Sequence, residues 1–424
     1  MLKVQLSKFL CVSLLTSTCL VQAKSLKDMV SNINTNNTQL KSIKYNNKAS
    51  LKSINKTESL YKPTIDLDIV GERKQVKIKP DNNPINTVNH TGYNAKIKLE
   101  QLLWDGGLSS SKISESKYSH QLNLLNNKVK SDEMLLEGIT TYFEVLKYTR
   151  RVELANENVT KNKEHLKIAM ENEKLTNEAL ETYQAKAKLH LANKIRLDEI
   201  EGLDIAKNKY KRITNMNATN LSMPSINNKL VPDTLESFIK IVLNYNNDIK
   251  AQNQNILKQD ALVAQKSSSL KPSIKFNLSV DHDDDLLVKD TVQDNYSAKV
   301  ILKYNLYNGE AGTTSSKIEK IYLKEEKAKL ETTVNSIIEK ASSEYSTYTN
   351  STKRINELKN YVSENNNIFV IYQSQFEGGT KTFSDILDAW TDVYNAKKML
   401  GDEYIIMNES YFNLLKISSQ LNKI

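Results

Sequence analysis

The stretch Tyr61-Lys62-Pro63-Thr64-Ile65-Asp66-Leu67-Asp68-Ile69 changes its pattern at the proline. Upstream the chain reads as helix, and the residue before a proline resists the helical conformation, so the helix must stop there. Downstream, Ile65, Leu67 and Ile69 alternate with Asp66 and Asp68, the period of two that marks a strand with one apolar and one polar face. The same pattern returns 209 positions later as Leu270-Lys271-Pro272-Ser273-Ile274, after which Phe276, Leu278 and Val280 alternate with Lys275, Asn277 and Ser279.

Working outward from this pair, Leu26 to Ile65 aligns with Leu235 to Ile274 without a gap, and Asn37 falls on Asn246. Leu103-Trp104-Asp105-Gly106-Gly107 then aligns with Leu306-Tyr307-Asn308-Gly309-Glu310 at an offset of 203. The chain is two tandem copies, expected over 24–216 and 234–424, with 217–233 as connector. Each copy predicts a helix (about 25–60 and 234–269), a β-hairpin (about 64–104 and 273–305) and a long helical hairpin. The second strands are legible too. Tyr93, Ala95, Ile97 and Leu99 alternate with Asn94, Lys96, Lys98 and Glu100. Tyr296, Ala298, Val300 and Leu302 alternate with Ser297, Lys299 and Lys303, with Ile301 on the polar side. Pro80 and Pro84 mark the first hairpin's loop.

Strands of this length suit the ~9–11 residues that cross a bilayer at a tilt. Their polar face is charged, as a water-filled lumen requires, and no further apolar layer is left to cover the other face. Four strands cannot close a barrel, and lipid forbids an open edge, so strands that span a membrane imply several chains in one barrel. Trp104 and Tyr307, ending the second strands, are expected at an aromatic girdle.

Residues 85–223 and 273–424 contain no proline, which leaves room for very long helices, expected at about 108–172, 178–216, 312–375 and 382–421. A helix of ~65 residues is ~98 Å long. The shorter helix of each pair, stacked on the helix that precedes the hairpin, roughly matches that length. The expected form is a long cylinder with strands at one end and helical tips at the other. No apolar run approaches the ~18 residues of a transmembrane helix. The two cysteines, Cys11 and Cys19, exclude a disulfide scaffold.

Residues 1–23 read as a signal peptide. Lys3 and Lys8 precede an apolar stretch from Phe9, and Val21-Gln22-Ala23 offers a cleavage site. Thr18 and Thr16 before Cys19 fit a lipoprotein signal poorly. The net charge of +9 arises from lysines interleaved with acids, the pattern of a solvated helical surface rather than of a nucleic-acid site. There is no phosphate loop, nucleophile motif or metal-ligand spacing, so neither an enzyme nor a cofactor is expected. Asp281-His282-Asp283-Asp284-Asp285 lacks the glycine and distal glutamate of a calcium loop and reads as a solvated loop.

The richest segment lies near the C-terminus. Phe383, Leu387, Trp390 and Tyr394 recur on one helical stripe, and Asp385, Asp388 and Asp392 on another, so one face packs and one is acidic. Gly378 and Gly379 fall where the chain must reverse. In the first copy Lys174-Leu175-Thr176-Asn177 holds the equivalent turn, where Asn177 can adopt the left-handed conformation.

The tandem repeat, the two post-strand segments and Phe376-Glu377-Gly378-Gly379-Thr380-Lys381-Thr382-Phe383-Ser384-Asp385-Ile386-Leu387-Asp388-Ala389 together resemble the TolC-like outer-membrane efflux protein family. The resemblance covers nearly the whole chain after residue 23. It implies a mostly α protomer of a homotrimer in the outer membrane of a Gram-negative bacterium. Twelve strands would form one β-barrel, and twelve helices a periplasmic α-helical barrel. It implies export of small molecules or proteins, as the exit duct of a tripartite efflux or type I secretion system. The implied partners are a periplasmic adaptor, an inner-membrane transporter and outer-membrane lipid, with no nucleic acid. By the same resemblance, Asp385 and Asp388 would form acidic rings at the pore entrance, and Gly378, Gly379 and Thr380 the docking turn. Phe376 and Lys381 would belong to the entrance gate, and Leu175, Thr176 and Asn177 to the first tip. Thr176 stands where the family has glycine, and Lys381 where arginine is expected. A periplasmic coiled-coil adaptor or surface structural protein without a pore is the alternative.

Overall fold

The structure, a computed structural model, describes residues 25–78, 86–286 and 290–424. The expected signal peptide, and Pro80 and Pro84, lie outside the described residues. The first copy supplies α1 (Leu26–Asn36), α2 (Thr38–Glu58), β1 (Thr64–Ile78), β2 (Asn86–Trp104), α3 (Leu108–Thr176) and α4 (Leu180–Thr214). The second supplies α5 (Leu235–Tyr245), α6 (Asn247–Ser268), β3 (Ser273–Asp284), β4 (Val292–Lys303), α7 (Ala311–Glu377) and α8 (Phe383–Ile417). Among the described residues no helix is long and apolar enough to cross a membrane.

Where one helix is expected before each hairpin, there are two. The break falls at the aligned pair Asn37 and Asn246. Each asparagine leaves the helical conformation, and its side-chain oxygen accepts hydrogen bonds from the next helix. Asn37 accepts from the N–H groups of Gln39 (2.8 Å) and Leu40 (3.3 Å). Asn246 accepts from those of Asp248 (2.9 Å) and Ile249 (3.0 Å). These are N-caps, which satisfy donors that a helix start leaves orphaned.

By internal packing the chain divides into two units, each drawing on both copies. One comprises the residues up to Thr35, Gly138–Ile226 and Leu358–Ile405. Its α1 face is buried through Met29 and Ile33, and Ile33 lies so close to Gly138 that a Cβ there would sit 2.5 Å from Ile33 Cδ1. Tyr142, Phe143 and Tyr210 are fully buried beside one another. Burial pushes the Tyr210 phenol up to about 12. The Tyr142 hydroxyl donates to the Ser222 carbonyl (2.5 Å) and accepts from the Ser222 N–H (3.1 Å), which pins the connector to α3.

The second unit comprises Asn36–Glu137, Asn227–Glu357 and Ile406–Ile424. Here Tyr345 and Tyr411 donate to the carbonyls of Pro232 and Asn227, both at 3.0 Å. Asn246 Nδ2 donates to the Ile417 carbonyl at 2.9 Å. This unit carries the sheet, in which the hairpins join edge to edge in the antiparallel order β1-β2-β3-β4. The register aligns the faces. Leu67, Ile97, Val280 and Tyr296 form one cross-strand row, and Ile65, Leu99, Leu278 and Ala298 another. On the opposite face Glu100 accepts from Lys98 (2.8 Å) and Lys275 (2.6 Å). The apolar face is bare: Ile65 is 70% exposed, Ile69 68% and Tyr296 77%.

Two expectations need correction. Trp104 ends β2, but Tyr307 lies beyond the end of β4 at Lys303. The two strands differ because β2 has a neighbour on each side. Past Thr64, where β1 begins, Gln101, Leu102 and Trp104 still pair with β3. β4 is an edge strand, and its ladder ends where β3 begins, just after Pro272. The acidic run is also not a loop up to Asp284, since β3 carries it. Asn94 donates to Asp281 (2.7 Å) and Asp283 (3.3 Å), and His282 meets Asp294 (2.7 Å), so flanking strands hold these polar groups in register. Among the described residues no cluster of His, Cys, Asp or Glu has the makings of a metal site.

Asn37→Ala should lower stability by about 1 kcal/mol, as loss of an N-cap does, while Asn37→Asp retains it. Paired thermal melts followed by circular dichroism check this.

Candidate functional site at the helical turns

The turn from α7 into α8 closes with the two hydrogen bonds of a Schellman motif. The Thr380 N–H donates to the Gln375 carbonyl and the Gly379 N–H to the Phe376 carbonyl, both at 2.9 Å. Gly379 sits at φ +76, the left-handed position that glycine tolerates without a Cβ penalty. Gly378 does not have a positive φ, so the two glycines are not equivalent. The α3–α4 turn is simpler. Asn177 adopts φ 61, and its N–H donates to the Glu173 carbonyl at 2.8 Å, the single bond of an αL cap. Thr176 spends its hydroxyl on the Asn172 carbonyl (3.0 Å), and Leu175 is widely exposed.

Asp385 has a local job. Its carboxylate accepts from the Thr382 N–H (2.9 Å) and hydroxyl (2.8 Å), and its own N–H reaches the Thr382 hydroxyl (3.2 Å). This is a capping box with Asp in place of Glu or Gln. The bonds from Thr382 hold the carboxyl below its ordinary range, with a smaller contribution from Lys381. The same device, Ser25 with Asp28, starts α1. Asp388 is exposed and makes an ion pair at 3.0 Å with Lys188 of α4. Lys381 lies 3.9 Å from Asp385 and places its ammonium 4.1 Å from the centre of the Tyr372 ring, a close cation–π contact.

Beneath these groups the packing stripe is buried as a unit. Phe383 and Leu387 pack with Ala169 of α3 and Ala185 of α4, while Trp390 and Ile386 pack with Phe369 of α7. Phe376 is half-buried against both sets, 5.9 Å ring to ring from Phe383. The Trp390 indole N–H donates to Asn158 Oδ1 at 2.9 Å. All four long helices therefore converge at the turns. The sequence patterns did not reveal Tyr372, Lys188 or His165, because each acts through a partner on another helix or across a turn. His165 lies buried near Phe369 and Phe383 and lines a cleft of about 600 Å³ that also touches Phe376 and Glu377. Burial, assisted by Lys161, pushes its imidazole down to about 4.

The comparison with known families centres on the region from α5 to α8. Residues 238–402 match the family described as outer membrane efflux protein. This stretch is similar to that family. The fold of the whole chain agrees with solved outer-membrane channels. The Campylobacter jejuni CmeC outer membrane channel superposes with a TM-score of 0.81 at 14% identity, covering 93% of this chain and 85% of that one. The outer membrane protein VceC from Vibrio cholerae gives 0.81 at 13% identity, with 93% and 95% covered. The open state of the Neisseria gonorrhoeae MtrE outer membrane channel gives 0.73 at 14% identity, with 93% and 88% covered. Among curated proteins no sequence matches the chain significantly. The efflux-family match takes in the α7–α8 turn and the Asp385 and Asp388 positions.

Two outcomes follow from the turn. Gly379→Ala should cost about 1–2 kcal/mol, because a Cβ is disfavoured in the left-handed conformation, whereas Gly378→Ala should stay near the parent. Hydrogen exchange at the Thr380 amide and thermal melts read both. Burial makes the His165 imidazole harder to protonate in the folded chain than in the unfolded one. The unfolded chain takes its proton first, so its contribution is intact above pH 6.5 and is lost as pH falls toward about 4. At about 1.4 kcal/mol per pH unit this amounts to roughly 3 kcal/mol. His165→Phe should flatten the decline in melting temperature across that window.

Proposed function

We propose that the chain is the protomer of a homotrimeric outer-membrane channel that exports small molecules or proteins without a chemical step. The observation that carries this reading is the sheet. Its four strands present one continuous apolar face with nothing over it among the described residues, and a polar face dense in charge. Lipid would cover the first, and water in a lumen the second. β1 and β4 are both edges, and a membrane sheet must close. Three copies would close it with twelve strands, and Trp104, at the end of β2, is exposed as a girdle residue would be. The helical hairpins would form the periplasmic part.

In this reading the turns face the periplasmic partners, an adaptor and an inner-membrane transporter, with Gly378, Gly379 and Thr380 as the grip. Phe376 and Lys381 belong to the gate. Lys381 is parked on Tyr372, and lacks the planar fork that would let arginine hold a carboxylate at two points. Asp385 and Asp388 would each recur three times about the pore axis and favour cations. Leu175, Thr176 and Asn177 form the second class of tip. No cofactor or metal is needed.

Fractionation and planar-bilayer recording test this. The chain should sediment with outer membranes, run as a trimer in detergent and conduct. A soluble monomer without conductance would favour the alternative, an adaptor-like or structural protein. Asp385→Ala with Asp388→Ala should weaken cation selectivity and divalent-cation block, and Lys188→Ala, which frees Asp388 of its partner, should strengthen both. Unchanged reversal potentials in both variants would remove these aspartates from the pore.

A further inference from the structure

Three glycines lie inside long helices of the first unit: Gly138 in α3, Gly202 in α4 and Gly401 in α8. Glycine destabilises a helix interior relative to alanine. Gly138 and Gly202 have a steric reason, since a Cβ would sit 2.5 Å from Ile33 Cδ1 and 2.2 Å from the Tyr148 ring. Gly401 has none. The nearest atom to a Cβ there would be Arg150 Cγ at 3.8 Å, so alanine fits. What Gly401 does is leave open a cleft of about 470 Å³ between α3, α8 and the connector. That volume lies within the ~300–1,000 Å³ of small-molecule sites.

The cleft has an apolar body and a basic rim. Leu154 and Ile405 are buried at its base, and Leu221 and Met223 wall it from the connector. The double hydrogen bond of Tyr142 to Ser222 fixes the backbone between those two wall residues. Four cations line the cleft, Lys147, Arg150, Arg151 and Lys398, against the carboxylates of Glu153 and Asp402. Arg151 is taken by Asp402 through two bonds of 3.0 and 2.7 Å, and Lys398 by Glu199 at 2.9 Å. Arg150 has Glu153 at 3.0 Å on the open surface, where such a pair is weak. Lys147 meets only the Tyr148 ring among the described residues, its ammonium 5.1 Å from the ring centre.

We propose that this cleft binds an amphipathic organic anion. The apolar body lies over Gly401 against Leu221, Met223 and Ile405, and the acidic head meets Lys147 and Arg150. The site lies within one unit of a single chain and does not rest on the channel reading.

The test is titration of the purified full chain, in phosphatidylcholine nanodiscs, with anilinonaphthalene sulfonate, whose fluorescence rises in apolar surroundings. Empty nanodiscs give the background. The expected result is one saturable site per chain, displaced by dodecanoate and not by dodecyltrimethylammonium. Gly401→Leu, which fills the floor, and Lys147→Glu, which inverts the rim, should each weaken it at least tenfold with circular dichroism unchanged. If Gly401→Leu fails to fold, the rim variant Lys147→Glu decides. The proposal is overturned by non-saturable binding, equal displacement by the cation, indifference to Lys147→Glu, or no binding because a second copy covers the cleft.

Discussion

A β-sheet can leave an apolar face bare, or leave its edge strands unpaired, only where something else supplies the missing partner. This chain does both at once. Among the described residues, the rows through Leu67 and Ile65 run uncovered across all four strands, and β1 and β4 each carry a line of backbone donors and acceptors with no strand beside them. Water would penalise the first and invite uncontrolled pairing at the second. On the proposed reading lipid and sister chains answer both. The rest of the protomer is then arranged to deliver two hairpins side by side with their polar faces aligned.

That arrangement depends on small local devices at the ends of elements. Asn37 and Asn246 break what would otherwise be single helices and restart them with a new cap. Asp105 accepts from the Gly107 and Ser109 N–H groups at the start of α3, and Gly106 at φ +68 lets the backbone pass within reach of Lys271. Thr382 with Asp385 starts α8. Each device satisfies backbone groups that a helix end leaves without partners. Asp385 shows what such a device does to a side chain. Its carboxylate is fixed in place by its own helix start, and the bonds from Thr382 favour the ionised form.

The helical turns show two solutions to one geometric problem. The second copy uses glycine and the two bonds of a Schellman motif. The first uses asparagine and one bond. Below them Phe376, Phe383 and Trp390 pack together with residues of all four long helices, so the turns rest on a shared apolar base. His165 is buried in that base as a neutral ring, and its low affinity for a proton follows from the desolvation it would suffer on charging.

The sequence by itself determined the repeat, the strands and the long helices, because each rests on near-neighbour rules. Proline stops a helix, alternation makes a sheet face, and a proline-free run permits a long helix. It also placed the turn at Gly378 and Gly379 and the buried stripe through Trp390, since a stripe of period 3.6 has one face to hide. It did not reveal that Asn37 and Asn246 are caps, although it aligned them, because capping depends on where the preceding helix actually ends. Only the tertiary structure decided that β2 outruns β4, that Asp281 to Asp284 stay in the strand, that Lys381 lies on Tyr372 and that Asp388 pairs with Lys188. Those outcomes depend on which element lies alongside another. Residues 9, 187 or 200 positions apart carry no mutual signal until the fold brings them within a few ångströms.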